Sequence, residues 1–136
     1  MPSDKLTIYT DGAARGNPGP AGIGVVIVKD CKVIRRCVKY IGKATNNQAE
    51  YQAVIFALEK AKALKAKKAD CYLDSELVTE QLNRKYKIKD KDLASLFIKI
   101  WNLSLDFKEI NFYHVSREKN KEADKLANQA IDRAIS

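Results

Sequence analysis

Side chains alternate along "KLTIYTD" (5–11), with Leu6, Ile8 and Thr10 on one side and Thr7, Tyr9 and Asp11 on the other. That two-residue period predicts a strand. "AGIGVVIVK" (21–29) and "KVIRRCVKYI" (32–41) read as two more, and the short link Asp30-Cys31 makes them a hairpin. The period then changes. In "TNNQAEYQAVIFALEKAKALKAK" (45–67), Val54, Ala57, Leu58, Ala61 and Leu64 recur at helical spacing, and Asn46 or Asn47 can cap the start. "ADCYLD" (69–74) predicts a short strand and "SELVTEQLNRK" (75–85) a helix. "KDLASLFIKIWNLSL" (91–105) predicts a second helix, "EINFYHV" (109–115) a fifth strand, and "NKEADKLANQAIDRAI" (120–135) a closing helix. Leading strands joined by short links pair antiparallel, whereas strands separated by helices run parallel. The expected fold is therefore α/β: a mixed five-stranded sheet with helices packed on it.

At 136 residues the chain suits one domain over 1–136, with a single core and no repeat or linker. No apolar run approaches the roughly 18–20 residues of a membrane span. "MPSDKLTIYT" lacks the basic-then-apolar layout of a leader, so a free-standing cytoplasmic, monomeric protein without membrane contact is expected. Cys31, Cys37 and Cys71 show no metal-type spacing and read as buried thiols. The net charge of +8 favours a polyanionic partner or else a solubilising surface. Basic residues gather at "KALKAKK" (62–68), "RKYKIKDK" (84–91) and "REKNK" (117–121).

Taken alone, "YTDGAARGNPGP" (9–20) is a turn, because Asp-Gly and Asn-Pro-Gly are strong turn formers. Other acids change that picture. Asp11 and Asp74 each close a predicted interior strand, at the sheet edge where α/β proteins bind ligands. Glu50 lies in line with the buried stripe of its helix, and Asp124 lies at the margin of another. Acids avoid such positions unless paired, and no Lys or Arg occupies an equivalent inward position. Hard divalent cations, magnesium first among them, suit a group of carboxylates.

"YTDGAARGNPGPAG", "TNNQAEYQA", "LDSELV" and "NKEADKLAN" together resemble the type 1 ribonuclease H family. The resemblance covers essentially the whole chain, with gaps of 39, 24 and 50 residues between Asp11, Glu50, Asp74 and Asp124. It implies the ribonuclease H fold and cleavage of the RNA strand of an RNA–DNA hybrid, leaving 5′-phosphate and 3′-hydroxyl ends. It also implies two Mg2+ ions, for which Mn2+ can substitute. Asp11 would bridge both ions; Asp124 would help hold the one at the attacking water, and Glu50 and Asp74 the one at the leaving group.

For the hybrid, the resemblance implies contacts from Gly12, Asn17, Asn46, Asn47 and Ser75, with Thr45 as a phosphate ligand. The Gly-Asn-Pro-Gly loop would let nucleic-acid backbone come close. Glu76 departs from the pattern, which commonly has glutamine there. No tryptophan-bearing basic handle follows the 75–85 helix, so Lys85, Lys87, Lys89 and Lys91 are its partial substitute, or a solvated loop. His114, ten residues before Asp124, matches a histidine that assists water activation or product release in bacterial relatives. The glycines usual beside it are missing, so His114 is alternatively a strand-end residue, with Arg117 supplying the charge. Rival readings are a catalytically silent binding module, a transposase or integrase core, a reverse-transcriptase-type domain, and a nuclease acting on double-stranded RNA.

Overall fold

The computed structural model describes residues 5–136; the first four residues, part of the stretch read for a leader, lie outside it. Ten elements follow in chain order. They are β1 (Lys5–Ala14), β2 (Gly19–Lys29), β3 (Lys32–Ala44), α1 (Asn46–Ala63), β4 (Lys68–Leu73), α2 (Glu76–Leu82), α3 (Lys91–Ser104), β5 (Glu109–His114), a 3-10 turn (Arg117–Asn120) and α4 (Lys121–Ile135). The sheet order is β3-β2-β1-β4-β5. β1 pairs antiparallel with β2, as β2 does with β3, while β4 runs parallel to both β1 and β5. This is the mixed five-stranded sheet expected.

Alternation along β2 assigns the two faces. Val25 and Ile27 join the core formed with Ile8, Val54, Ala57 and Leu58, beneath α1. Gly24 and Gly22 face α4 instead, where a Cβ on Gly24 would lie 2.2 Å from the Ala123 carbonyl oxygen. Glycine is required there because the α4 backbone lies directly on the strand. α4 crosses β2, β3 and β1, and α3 covers α1 on the opposite face. Ile8 and Leu58 are wholly buried, and cutting either to alanine is expected to cost about 2–5 kcal/mol.

Several boundaries move for local reasons. β1 does not stop at Asp11: it stays paired with β2 through Ala14↔Ala21, and only its parallel pairing with β4 ends, at Tyr9↔Tyr72. Thr45, not Asn46 or Asn47, caps α1, and it forms a reciprocal capping box with Gln48. α1 ends at Ala63 and α2 at Leu82, ahead of Lys65 and Arg84 at φ 60° and 62°. The β2–β3 hairpin turns on Asp30 and Cys31, both at positive φ (50° and 65°), as a tight two-residue turn requires. That leaves Cys31 exposed and Cys37 half-buried; only Cys71 matches the buried thiol expected. Among the described residues no helix is long and apolar enough to cross a membrane.

Candidate active site

β1 and β4 are the central parallel pair, and Asp11 and Asp74 lie just past the last residues that pair between them. α1 packs so closely on β1 that a Cβ at Gly12 would sit 2.2 Å from the Ala49 carbonyl carbon. Gly12 is therefore glycine because a helix crosses it. Its N–H donates to Glu50 Oε1 at 2.7 Å, which carries that carboxylate from α1 to the edge of β1. Carboxylate oxygens of Asp11, Glu50 and Asp74 consequently lie within 4.8 Å of one another. Asp11 and Glu50 are buried and Asp74 is half-buried.

Three carboxyls this close cannot all carry charge without a cation. Burial pushes the Asp11 carboxyl up to about 11, and Glu50, Asp74 and Asp124 add to the rise. Burial also raises Glu50, to about 7; the neighbouring Asp11 carboxyl and the hydrogen bond from the Gly12 N–H pull it back, Asp74 raises it, and Arg117 lowers it. Glu50 Oε2 is buried and has no hydrogen-bond partner. A buried carboxylate oxygen left bare is costly unless something cationic meets it. The donor set is hard and all-oxygen, so these residues fit a divalent cation such as magnesium.

Asp124 differs from the reading of its helix as a buried stripe. It is exposed, in the first turn of α4, yet it lines the same cavity, of about 680 Å³, as the other three acids. Asn128 Nδ2 donates to its Oδ1 at 3.3 Å, and the Arg15 guanidinium donates to Asn128 Oδ1 at 3.3 Å. Arg117 and Lys121 also line this cavity, so cations do stand beside the acids, on the α4 side. Lys121 falls in the basic stretch 117–121, but its place beside the acids is set by the 3-10 turn, which no periodicity announces.

Gly12, Asn46, Asn47 and Ser75 line the cavity, whereas Thr45, Asn17 and Glu76 do not. Asn17 Oδ1 accepts from the Asn46 N–H at 3.1 Å, and Asn46 Oδ1 accepts from the Ala14 N–H at 2.9 Å, which ties the 15–18 loop to α1. Ser75 caps α2 through Val78 N–H at 3.2 Å. His114 ends β5, exposed, in a separate depression with Thr79, Glu80, Asn83 and Lys85. Lys85 and Lys87 line another hollow with Arg84, Tyr86 and Phe97, and Lys89 is exposed on the same linker. Lys85 also pairs with Glu80 at 3.7 Å.

Residues 9–130 match the Reverse transcriptase-like family. The chain is 35% identical over 145 residues to a ribonuclease H of Ehrlichia chaffeensis, covering 96% of this chain and 97% of that one. It is 42% identical over 132 residues to a bifunctional protein of Mycobacterium tuberculosis, covering 96% of this chain and 36% of that one. Among solved structures, LC11-RNase H1 in complex with an RNA/DNA hybrid matches with a TM-score of 0.92 at 44% identity, covering 96% of this chain and 99% of that one. The chain belongs to the type 1 ribonuclease H family, a class of nucleic-acid hydrolases. It spans only 36% of the length of its mycobacterial relatives.

Proposed function

We propose that the protein hydrolyses the RNA strand of RNA–DNA hybrids, leaving 5′-phosphate and 3′-hydroxyl ends. One observation carries this reading: three carboxylate groups converge within 4.8 Å, and one buried oxygen among them, Glu50 Oε2, has no partner. A silent binding module has no use for that arrangement, which is unfavourable in the absence of a cation. Asp11, Glu50, Asp74 and Asp124 would hold two Mg2+ ions, with Mn2+ as a substitute. When bound, two such ions supply the positive charge that an in-line phosphodiester displacement needs at the attacking water and the departing oxygen.

The chain's own residues do the positioning. The Gly12 N–H fixes the Glu50 carboxylate before substrate arrives, so little reorganisation is needed at the moment of reaction. Arg117 and Lys121 bring positive charge to an otherwise acidic cavity that must admit a polyanion. The side-chain NH2 groups of Asn17, Asn46 and Asn47 are donors for the hybrid near the cut, and the Thr45 and Ser75 hydroxyls add to them. Contacts to 2′-hydroxyls, from these residues and from Glu76, distinguish RNA from DNA. The exposed Lys85, Lys87 and Lys89 would neutralise phosphates of the duplex. Arg117 is the better placed of the two auxiliary candidates, because it shares the acid cavity and His114 does not. We take residues 1–136 as one monomeric domain acting in the cytoplasm.

The test is incubation with end-labelled hybrid, double-stranded RNA and double-stranded DNA, each with and without magnesium. Cleavage of the RNA strand of the hybrid alone, only with magnesium and with 5′-phosphate products, is expected. Binding without cleavage would restore the silent-module reading, and equal cutting of double-stranded RNA would displace the hybrid as the substrate.

A further inference from the structure

We infer that Asn120 is a positioning residue of the acid cavity, its one buried amide tying together the elements that carry Asp11, Asp74 and Asp124. Asn120 is 1% exposed. Its Nδ2 donates to the carbonyl oxygen of Thr10 at 2.9 Å and to Asp74 Oδ2 at 3.4 Å. Thr10 directly precedes Asp11. Asn120 itself is the residue before α4, whose first turn holds Asp124. Three of the four acids are thus referenced to a single NH2 group.

The chemistry of the amide says which of its properties matters. Its two partners are both acceptors, so the assignment of nitrogen and oxygen follows from them: the reversed amide would set oxygen against oxygen. Its Oδ1 is buried without a partner, and Asn120 makes no side-chain cap bond to α4. Leaving that oxygen bare is unfavourable. A residue chosen for packing or capping alone would avoid this. What the position keeps is the pair of donors, one holding the β1 backbone beside Asp11 and one holding an Asp74 oxygen. The donor on Asp74 restrains the rotation of that carboxylate, as outer partners of ligating carboxylates do.

This inference rests on the metal-dependent reading, and its test separates the two. Asn120→Asp keeps shape and removes the donors; Asn120→Ser keeps a hydroxyl and removes the reach. For each, kcat and KM on hybrid are measured, together with the Mg2+ concentration giving half-maximal thermal stabilisation. We expect kcat to fall roughly 10–100-fold with KM for hybrid unchanged, and the Mg2+ midpoint to rise by a comparable factor. In an Asp74→Asn background, Asn120→Ser should move the Mg2+ midpoint much less than it does alone, because the two act through one hydrogen bond. A folded variant with wild-type kcat and Mg2+ midpoint would overturn the inference. Failure of both variants to fold would overturn it too, making Asn120 a residue of the fold. Wild-type protein that binds Mg2+ but cuts no hybrid would instead refute the proposed function, and the Mg2+ midpoints would still decide the role of Asn120.

Discussion

Glu50 and Asp124 both reach the cavity from helices, but they are held in opposite ways. Glu50 is buried, its Oε1 fixed by the Gly12 N–H at 2.7 Å, on a helix packed against the central strand. Asp124 is exposed, and its carboxylate accepts a 3.3 Å bond from Asn128, one turn further along α4. The α1 rim is therefore built before any ligand arrives, whereas the α4 rim is open to solvent and bordered by Arg117 and Lys121. The contrast matches a division of labour in which the rigid side fixes the cation site and the open side receives water and nucleic acid.

If that division holds, the largest effect comes from the three acids clustered at the ends of β1, β4 and α1, away from the α4 rim. Asp74→Asn is expected to lower kcat by about 10³-fold or more, the equivalent of several kcal/mol of transition-state charge stabilisation. It should leave the protein folded, and more stable without metal, since one repelling carboxylate is gone. Near-normal turnover in a folded Asp74→Asn protein would remove Asp74 from the site. Asp124→Asn is expected to cost less, roughly 10–100-fold, with no gain in metal-free stability because the group is already solvated. A stability gain equal to that of Asp74→Asn would erase the contrast between the two rims.

The two buried acids also set a pH dependence. Asp11 and Glu50 hold protons in the folded chain at pH values where the unfolded chain has lost them. Stability is then full below the ordinary carboxylate range. It is lost as pH rises through about 7 for Glu50 and onward toward about 11 for Asp11. Metal-free melting temperatures should therefore fall between pH 5 and pH 8, on the order of 5 °C, and magnesium should flatten the slope. A metal-free profile that is level or rises over this interval would contradict the burial argument.

Smaller effects belong to residues outside the cavity. Changing Lys85, Lys87 and Lys89 to alanine should weaken hybrid binding and flatten its salt dependence, by about 0.9 in slope for each phosphate that a lysine no longer neutralises. Turnover at saturation should not change. Arg117→Ala should reduce kcat more than His114→Ala, whose exposed strand-end position lies outside the acid cavity. The reverse order would bring the histidine back as a proton carrier.

Much of this is legible in the residues because the fold's periodicities are clean. The order of strands and helices and the mixed pairing all follow from alternation and spacing. Boundaries follow less well, since β1 continues past Asp11 on hydrogen bonds to β2 that only the folded sheet supplies. The α1 cap departs from expectation for a similar reason: the Asn46 side chain is engaged by Ala14, leaving Thr45 to cap. Glu50 stands out as an acid in a buried stripe, but Asp124 sits at the margin of its stripe, and spacing alone cannot separate exposed from buried there. Asn120 opens the "NKEADKLAN" stretch, but periodicity and spacing give it no role. Its value comes from hydrogen bonds to Thr10 and Asp74, distant in sequence and joined only by the sheet.

The central claim is that these acids exist to hold cations, and anomalous diffraction from crystals of the wild-type protein grown with Mn2+ tests it most directly. The predicted result is anomalous density among the carboxylates of Asp11, Glu50 and Asp74, with Glu50 Oε2 no longer unpartnered. Carboxylates hydrogen-bonded to one another, with no ion between them at a Mn2+ concentration that supports hybrid cleavage, would contradict it.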